Sequence, residues 1–379
     1  MIRRHPRGTK GTVGRFSSVV KSPAVQRALY RSGALHAYHR RRNRDRLTVV
    51  MFHRVLAPSD PRWATADPEY SLRDDLFAEC LGFFRRHYHV VGLDDVMAAR
   101  RGDRPLPPCP LLITFDDCWS DTEEFALPHL LRAGMPALLF VVADAVGRRE
   151  PFFQERMVGA WRAGRLDADR ALALWRDAGG DPGKVPAFGG RDELEPLREL
   201  ILLLESLAPD HRHRLLEALE PALDDGLRYM ATADQLRRLA GRLVTIGAHG
   251  KTHTPLTEAQ DLDAELSGAR ATLASHVGSP PATMSCPHGA HDPGILQAAH
   301  AAGYELVFTS VPELSPAAGS GPGALGRVGF TGETITDAAG RFAPERLALH
   351  LFRKPHWAQV AGHRPHTTST RDGSMVPDP

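Results

Sequence analysis

The chain has 379 residues, of which 42% are hydrophobic and 24% are charged, with a formal net charge of +2. This length can bury a large core, either in one barrel-sized domain with decorations or in two smaller domains. The absence of an 18-residue apolar run argues against a transmembrane helix. Four cysteines without paired spacing argue against a disulfide framework or a structural zinc knuckle. The basic N-terminus lacks an apolar signal region, so we expect a cytoplasmic protein.

Positive charge is concentrated in residues 1–46. This segment contains 13 Lys and Arg and one acid, a formal charge of +12, which leaves −10 on the rest of the chain. Ser22 and Pro23 suit the N-cap and first residue of a helix, and Val25 and Leu29 would begin an apolar stripe. Two interpretations stay open. The segment is either a helix that contacts an anionic membrane surface, or a solvated arm that packs weakly on the domain.

From residue 47 onward, short apolar segments alternate with helical ones. Strands are predicted at 47–52, 89–92, 110–115, 136–142, 243–248, 282–286, 306–309 and 326–330, and helices at 73–87, 121–133, 258–277 and 292–302. Alternation of this kind with nearly continuous apolar strands predicts a parallel sheet. We therefore expect an α/β fold over residues 47–354, a distorted (β/α) barrel of about seven to eight parallel strands.

Two segments depart from the alternation. Residues 150–242 are rich in Leu, Arg, Ala and Glu, and they predict a helical insertion that serves as a lid or a substrate-facing subdomain. Residues 355–379 are polar and rich in Thr and Pro, which predicts a disordered tail.

Four of the predicted strands end at polar residues that can carry chemistry. These residues are His53 after the first strand, Asp116 and Asp117 after 111–115, His249 and His253 after 243–248, and Cys286, Pro287, His288 and Gly289 after 282–285. Parallel βα folds gather the carboxyl ends of their strands at one edge of the sheet, so these residues predict one shared pocket. Two carboxylates with several imidazoles favour a metal-assisted hydrolase.

Each motif also has an ordinary interpretation. Two adjacent aspartates repel each other unless one is neutralised or binds a cation, but they also occur in solvated turns. With 19 histidines, roughly one His-x-x-x-His pair arises by chance. His53 alone could cap the core, and residues 286–289 could be a simple turn. Taken together, two histidines and one carboxylate would leave open positions on a metal, as catalytic sites require.

These segments, in this order, resemble the polysaccharide deacetylase family (carbohydrate esterase family 4, the NodB homology domain) over about residues 47–330. Residues 114–117, Thr-Phe-Asp-Asp, match the family's T-F-D-D-G motif, and residues 249–253 match its H-[ST]-x-x-H motif. Residues 286–289 look like a variant of its third motif. The resemblance implies a distorted barrel that acts on an acetylated carbohydrate.

The resemblance also implies a role for each matching residue. Asp116 would be the general base, and Asp117, His249 and His253 would hold a divalent metal, Zn²⁺ or a similar ion. The turn of Cys286, Pro287, His288 and Gly289 would line the substrate groove, with the backbone N–H of His288 facing the oxyanion.

Three departures from the family pattern bear on these roles. Cys118 replaces a glycine of the first motif, Gly250 replaces a Ser or Thr, and the third motif lacks the arginine that pairs with the base. Arg327 is the candidate for that missing cation. The usual C-terminal strand with an acid histidine is also absent, and in circularly permuted members it stands at the front, which predicts that His53 is the general acid.

The sequence therefore predicts removal of an N-acetyl or O-acetyl group from a carbohydrate or glycan intermediate, with no nucleic-acid partner. Two alternatives stay open: a catalytically degraded homologue that binds glycans, and a hydrolase of non-sugar C–N bonds on the same scaffold. A glycosidase that uses Asp116 and a second acid would leave the histidines unexplained.

Overall fold

The computed structural model of the chain describes residues 22–181, 187, 188, 190, 192–319 and 323–356. The strands are β1 Arg46–Phe52, β2 Arg54–Leu56, β3 Ser71–Arg73, β4 His89–Val90, β5 Pro110–Phe115, β6 Ala137–Val141, β7 Val244–Ala248, β8 Thr283–Ser285, β9 Leu306–Phe308, β10 Ser315–Pro316, β11 Ala324–Leu325 and β12 Val328–Gly329.

The α-helices are α1 Pro23–Arg31, α2 Ala34–Arg42, α3 Asp74–His87, α4 Leu93–Arg101, α5 Leu127–Ala133, α6 Phe153–Arg162, α7 Ala168–Asp177, α8 Glu195–Glu205, α9 Pro209–Glu217, α10 Glu220–Leu223, α11 Ala233–Ala240, α12 Ala269–Val277, α13 Pro293–Ala301, α14 Gly332–Ile335 and α15 Pro344–Phe352. A π-helical turn precedes α5 and α12, at Thr122–Ala126 and Ala264–Gly268.

The strands form a mostly parallel, nearly closed barrel. Its order is β1, β5, β6, β7, β8 and β9, each parallel to the next. The segment 324–329 completes the ring, because β11 pairs with β9 and β12 pairs with β1, both in parallel. Antiparallel β10 extends the other end of β1. The predicted distorted (β/α) barrel is confirmed.

Strand residues divide between two cores, as the period of two requires. Val49, Leu112 and Phe140 belong to a cluster that fills the barrel, together with residues of α4. Val50 and Ile113, one position along, face the surrounding helices. Strands that are buried on both faces read as continuous apolar runs, which explains why the sequence showed them so clearly.

The helical insertion has a core of its own. Helices α6 to α10 share a buried cluster that includes Met157, Trp161, Leu174 and Leu197. Helix α11 instead places Leu236 and Leu239 in the main core, and it packs on β7 and α12. The separate core of the insertion therefore spans about α6 to α10, inside the predicted range 150–242.

The described part of the basic N-terminal segment is folded onto the barrel. Helix α1 follows Ser22 and ends before Gly33, whose left-handed backbone (φ 78°) separates it from α2. His39 is buried and stacks on Phe352 of α15 at 4.1 Å. Residues 1–21, and residues 357–379 of the predicted tail, lie outside the described residues. Membrane contact by residues 1–46 stays a prediction, and no helix in the described ranges is long and apolar enough to span a bilayer.

Candidate active site

The carboxyl ends of the barrel strands surround a cavity of about 570 Å³. Nine of the ten residues singled out in the sequence line it: His53, Asp116, Asp117, His249, His253, Cys286, His288, Gly289 and Arg327. Pro287 is buried behind the wall, beside Gly250. The shared pocket arises because β1, β5, β7 and β8 run in parallel and end at the same edge.

Asp117, His249 and His253 form a cluster whose ligand atoms lie within 4.8 Å of one another. Oδ1 of Asp117 lies 3.5 Å from Nε2 of His249 and 3.4 Å from Nε2 of His253. The other oxygen, Oδ2, accepts a hydrogen bond from Nε1 of Trp119 at 3.1 Å. Oδ1 itself is buried and has no hydrogen-bond partner among the described residues. A buried carboxylate oxygen in this state is unfavourable unless a cation satisfies it.

His249 is held in the orientation that a metal ligand needs. Its Nδ1 lies 2.9 Å from the carbonyl oxygen of Ser285, which fixes the proton on Nδ1 and turns Nε2 toward Asp117. Burial lowers the pKa of His249 to about 4, so its imidazole is neutral at pH 7. Neutral imidazole is the form that binds metal ions.

Arg327 holds Asp116 through two short hydrogen bonds. Nη1 donates to Oδ1 at 2.5 Å and Nη2 donates to Oδ2 at 2.7 Å, and both residues are buried. The guanidinium also donates to Oγ of Ser285 and to the carbonyl oxygen of Thr309. Burial raises the pKa of Asp116, but the charge of Arg327 outweighs it and the pKa lies below its usual range. Asp116 is therefore ionised at neutral pH. Arg327, which lies between β11 and β12, pairs with it in the absence of an arginine in the third motif.

His53 follows β1 and faces the same cavity. The edge of its ring approaches Tyr70 with 5.0 Å between centroids. The peptide N–H of Asp116 donates to the carbonyl oxygen of Phe52 at 3.0 Å, which ties the strand end before His53 to the first motif. His288 lies elsewhere on the wall, with its ring 4.7 Å from that of His253.

Backbone strain is concentrated at this edge of the barrel. Asp117, Cys118, His253 and His288 have φ values of 86°, 95°, 74° and 55°. Among the described residues, one other non-glycine residue, Cys109, has a positive φ. Each such residue costs on the order of 1–3 kcal/mol and persists where the surroundings enforce it. The position of Cys118 explains the glycine of the family motif, since glycine adopts this conformation without strain.

Gly250 is required by the tight loop that connects the two histidines. Its φ is 69°, and a Cβ would lie 3.0 Å from Oε2 of Glu265 and from Cγ of Pro287. Glu265 is 6% exposed and accepts hydrogen bonds from the peptide N–H groups of Lys251 and Thr252 and from the Thr252 hydroxyl, at 2.7, 3.1 and 2.6 Å. Glu265 thus fixes the loop that carries His253.

Sequence reasoning missed Trp119 and Glu265. Trp119 stands two residues after Asp117, so a donor near that carboxylate could have been sought there. Glu265 lies 12 residues beyond His253, and no local pattern marks it. Burial raises the pKa of the Cys286 thiol to about 12, so the thiol is protonated at neutral pH.

The sequence model described as polysaccharide deacetylase matches residues 208–307. This segment holds the second and third motifs, whereas the Thr-Phe-Asp-Asp motif lies before the helical insertion. No curated protein matches the sequence.

Two solved structures resemble the fold. Streptococcus pyogenes deacetylase PplD, solved in complex with acetate, is 15% identical, with a TM-score of 0.51 over 81% of this chain and 99% of that chain. IcaB from Ammonifex degensii is 19% identical, with a TM-score of 0.51 over 81% of this chain and 97% of that chain. The family model and the motifs together confirm the resemblance to the polysaccharide deacetylase family, and the two solved structures support the barrel fold.

Proposed function

We propose that this protein is a metal-dependent hydrolase that removes an N-acetyl or O-acetyl group from a carbohydrate. The observation that carries the proposal is the buried Oδ1 of Asp117, which lacks a hydrogen-bond partner in the part of the chain that the structure describes and faces two imidazoles, next to an ionised Asp116. Arg327 pairs with Asp116 although the third motif lacks its arginine, and this argues against a degraded homologue that only binds glycans. Acetate, which PplD holds in its solved structure, is the product expected of such a reaction.

The three donors fit a catalytic divalent metal. Asp117, His249 and His253 supply one carboxylate and two imidazoles, a set that suits Zn²⁺ and leaves coordination positions open. When bound, the ion would polarise the acetyl carbonyl and lower the pKa of a water molecule. Trp119 and the carbonyl of Ser285 orient two of the ligands from behind, as outer hydrogen bonds do in such sites.

Asp116 is the proposed general base. Its carboxylate is anionic, oriented by two bonds from Arg327, and it takes the proton of the attacking water. Oδ2 of Asp116 lies 3.8 Å from Nε2 of His249, so the base and the proposed ligands act within the same small volume.

The remaining steps use two other parts of the cavity wall. The peptide N–H of His288, in a turn with left-handed backbone, is proposed to stabilise the oxyanion. A side chain at Gly289 would overlap Ser310, so this turn needs glycine there. His53, which stands where a permuted acid strand would end, is proposed to protonate the departing amine or alkoxide.

The proposal is tested by metal content and acetate release measured on the same preparations. The wild type should bind about one divalent ion and release acetate from an N-acetylated oligosaccharide, and His249→Ala should lose both because a three-ligand site loses one member. His213→Ala is the control, since its side chain is 74% exposed on the insertion. Equal metal content in wild type and His249→Ala would contradict the site. A metal-loaded wild type that releases no acetate would contradict the function.

A further inference from the structure

The cavity above the proposed catalytic residues is covered by the helical insertion. Helix α8 contributes Arg198, Ile201, Leu202 and Glu205 to its lining, and the start of α6 contributes Gln154 and Glu155. Residues at the ends of the barrel strands line the opposite part of the cavity. We call the lining part of the insertion, α6 and α8, the roof. The cavity is therefore lined by both the barrel and the insertion.

One buried ion pair and one partly exposed group of ion pairs attach this roof to β2 and to the loop before β3. Nη1 of Arg54, in β2, lies 2.6 Å from Oε1 of Glu155, and both side chains are at most 10% exposed. Within the roof, Nε2 of Gln154 donates to Oε1 of Glu205 at 2.8 Å and joins α6 to α8.

The second attachment is a clasp between α8 and the loop before β3. Arg198 contacts Oδ1 of Asp67 at 2.8 Å and Oε2 of Glu69 at 2.9 Å. Asp67 is 3% exposed, and it also accepts a hydrogen bond from the peptide N–H of Glu69 at 2.9 Å, so the loop is preorganised for Arg198. The next residue, Tyr70, places its ring against His53. The clasp therefore joins the roof to the wall beside the proposed acid.

We propose that the Arg198–Asp67–Glu69 clasp blocks one end of the site, so that the enzyme deacetylates the terminal sugar of a short glycan and not an internal sugar of a polymer. This inference rests on the proposed deacetylase function. A volume of about 570 Å³ lies in the usual range of pockets that enclose most of a small ligand. An internal sugar would need a groove that is open on both sides of the reacting sugar, whereas Arg198, Asp67 and Glu69 all line this cavity and join α8 to the loop before β3.

The test maps which sugars of an N-acetylglucosamine tetrasaccharide lose acetate, using tandem mass spectrometry. The wild type should deacetylate one terminal sugar. Arg198→Ala should raise the ratio of internal to terminal deacetylation by about tenfold or more, because it removes an obstacle of at least about 1.4 kcal/mol to the longer binding mode. Glu69→Gln, at a position with a half-exposed side chain, should shift the ratio in the same direction with little risk to folding.

Arg156→Ala is the matched control, since it breaks an ion pair with Glu220 in the same insertion but away from the cavity lining. Its ratio should equal that of the wild type. Acetate loss from internal sugars at comparable rates in the wild type would overturn the clasp while leaving the deacetylase function intact. No acetate from any sugar or from an aryl acetate would overturn both.

Discussion

At the scale of single residues, the two adjacent aspartates of the candidate site make different contacts. Asp116 points both oxygens at Arg327, whereas Asp117 has a left-handed backbone and turns Oδ1 toward the histidines. Alternation along the strand end and the φ of 86° at Asp117 together separate the carboxylates. In the proposed mechanism, Asp116 is the oriented base and Asp117 is a metal ligand.

The Arg327–Asp116 pair should be essential for folding as well as for orientation. Arg327→Met leaves a buried carboxylate without its cation, which should reduce the free energy of unfolding by about 3–5 kcal/mol. The double variant Arg327→Met with Asp116→Asn should recover part of that loss, because no charge is left uncompensated. Urea unfolding of the wild type, both single variants and the double variant measures the coupling. Additive losses would show that the two residues do not stabilise each other.

A contact between two distant residues could be predicted from the sequence where a buried charge requires a partner of opposite charge. A buried carboxylate requires a cation, and the sequence names Arg327 as the candidate partner of Asp116, which it contacts although 211 positions separate the two residues. Glu265 was not found, because its role is to accept peptide hydrogen bonds, and any polar residue on a neighbouring helix could do that. Such contacts are set by tertiary packing and leave no local pattern.

At the scale of elements, the loop from His249 to His253 depends on the π-helical turn before α12. That turn carries Glu265, whose three hydrogen bonds fix the loop. The predicted helix 258–277 is present here as this π turn followed by α12. The sequence located the helix, but its altered geometry depends on the contact with the loop.

Glu265→Gln should weaken metal binding without unfolding the protein. The amide carries only one acceptor oxygen and brings N–H groups toward peptide donors, so the loop should lose its fixed geometry. Outer-shell changes of this kind typically reduce metal affinity by about 10–100-fold. Competition with a chelator measures the affinity, and Glu258→Gln, an exposed residue of the same segment, is the control. Unchanged affinity in Glu265→Gln would show that the loop is held by other contacts.

The packing of α1 and α2 on the barrel should depend on pH. Burial lowers the pKa of His39 to about 3 and that of His87 to about 4. His36, Arg40 and Arg86 add positive charge around them. Unfolded histidine titrates near 6.5, so the unfolded chain binds more protons between pH 6.5 and about 4, and stability falls as the pH falls through this window.

Each of these histidines should contribute up to about 1.4 kcal/mol of lost stability per pH unit in that window. His87→Gln should therefore flatten the dependence of the unfolding free energy on pH between 6.5 and 4.5, relative to the wild type. His213→Gln, at an exposed position, should leave the slope unchanged. Identical slopes in His87→Gln and the wild type would rule out His87 as a source of the acid sensitivity.

At the scale of the whole molecule, the fold brings together motifs that are far apart in the chain. Strands β1, β5, β7 and β8 and the segment between β11 and β12 each deliver a residue to one edge of the barrel. The sequence revealed the barrel because its strands are short apolar runs. The sequence predicts a lid or a substrate-facing insertion, but it does not predict the contacts that attach the insertion, because pairs such as Arg198 with Asp67 are far apart in the chain.

The central claim is that Asp116 acts as a base beside a metal held by Asp117, His249 and His253. The most direct test compares acetate release from an N-acetylated oligosaccharide by wild type and Asp116→Asn at equal metal content. The asparagine variant should keep its metal and its fold but lose on the order of 10²–10⁴ in kcat, the usual contribution of a positioned acid–base group. Equal rates for the two metal-loaded proteins would contradict the account.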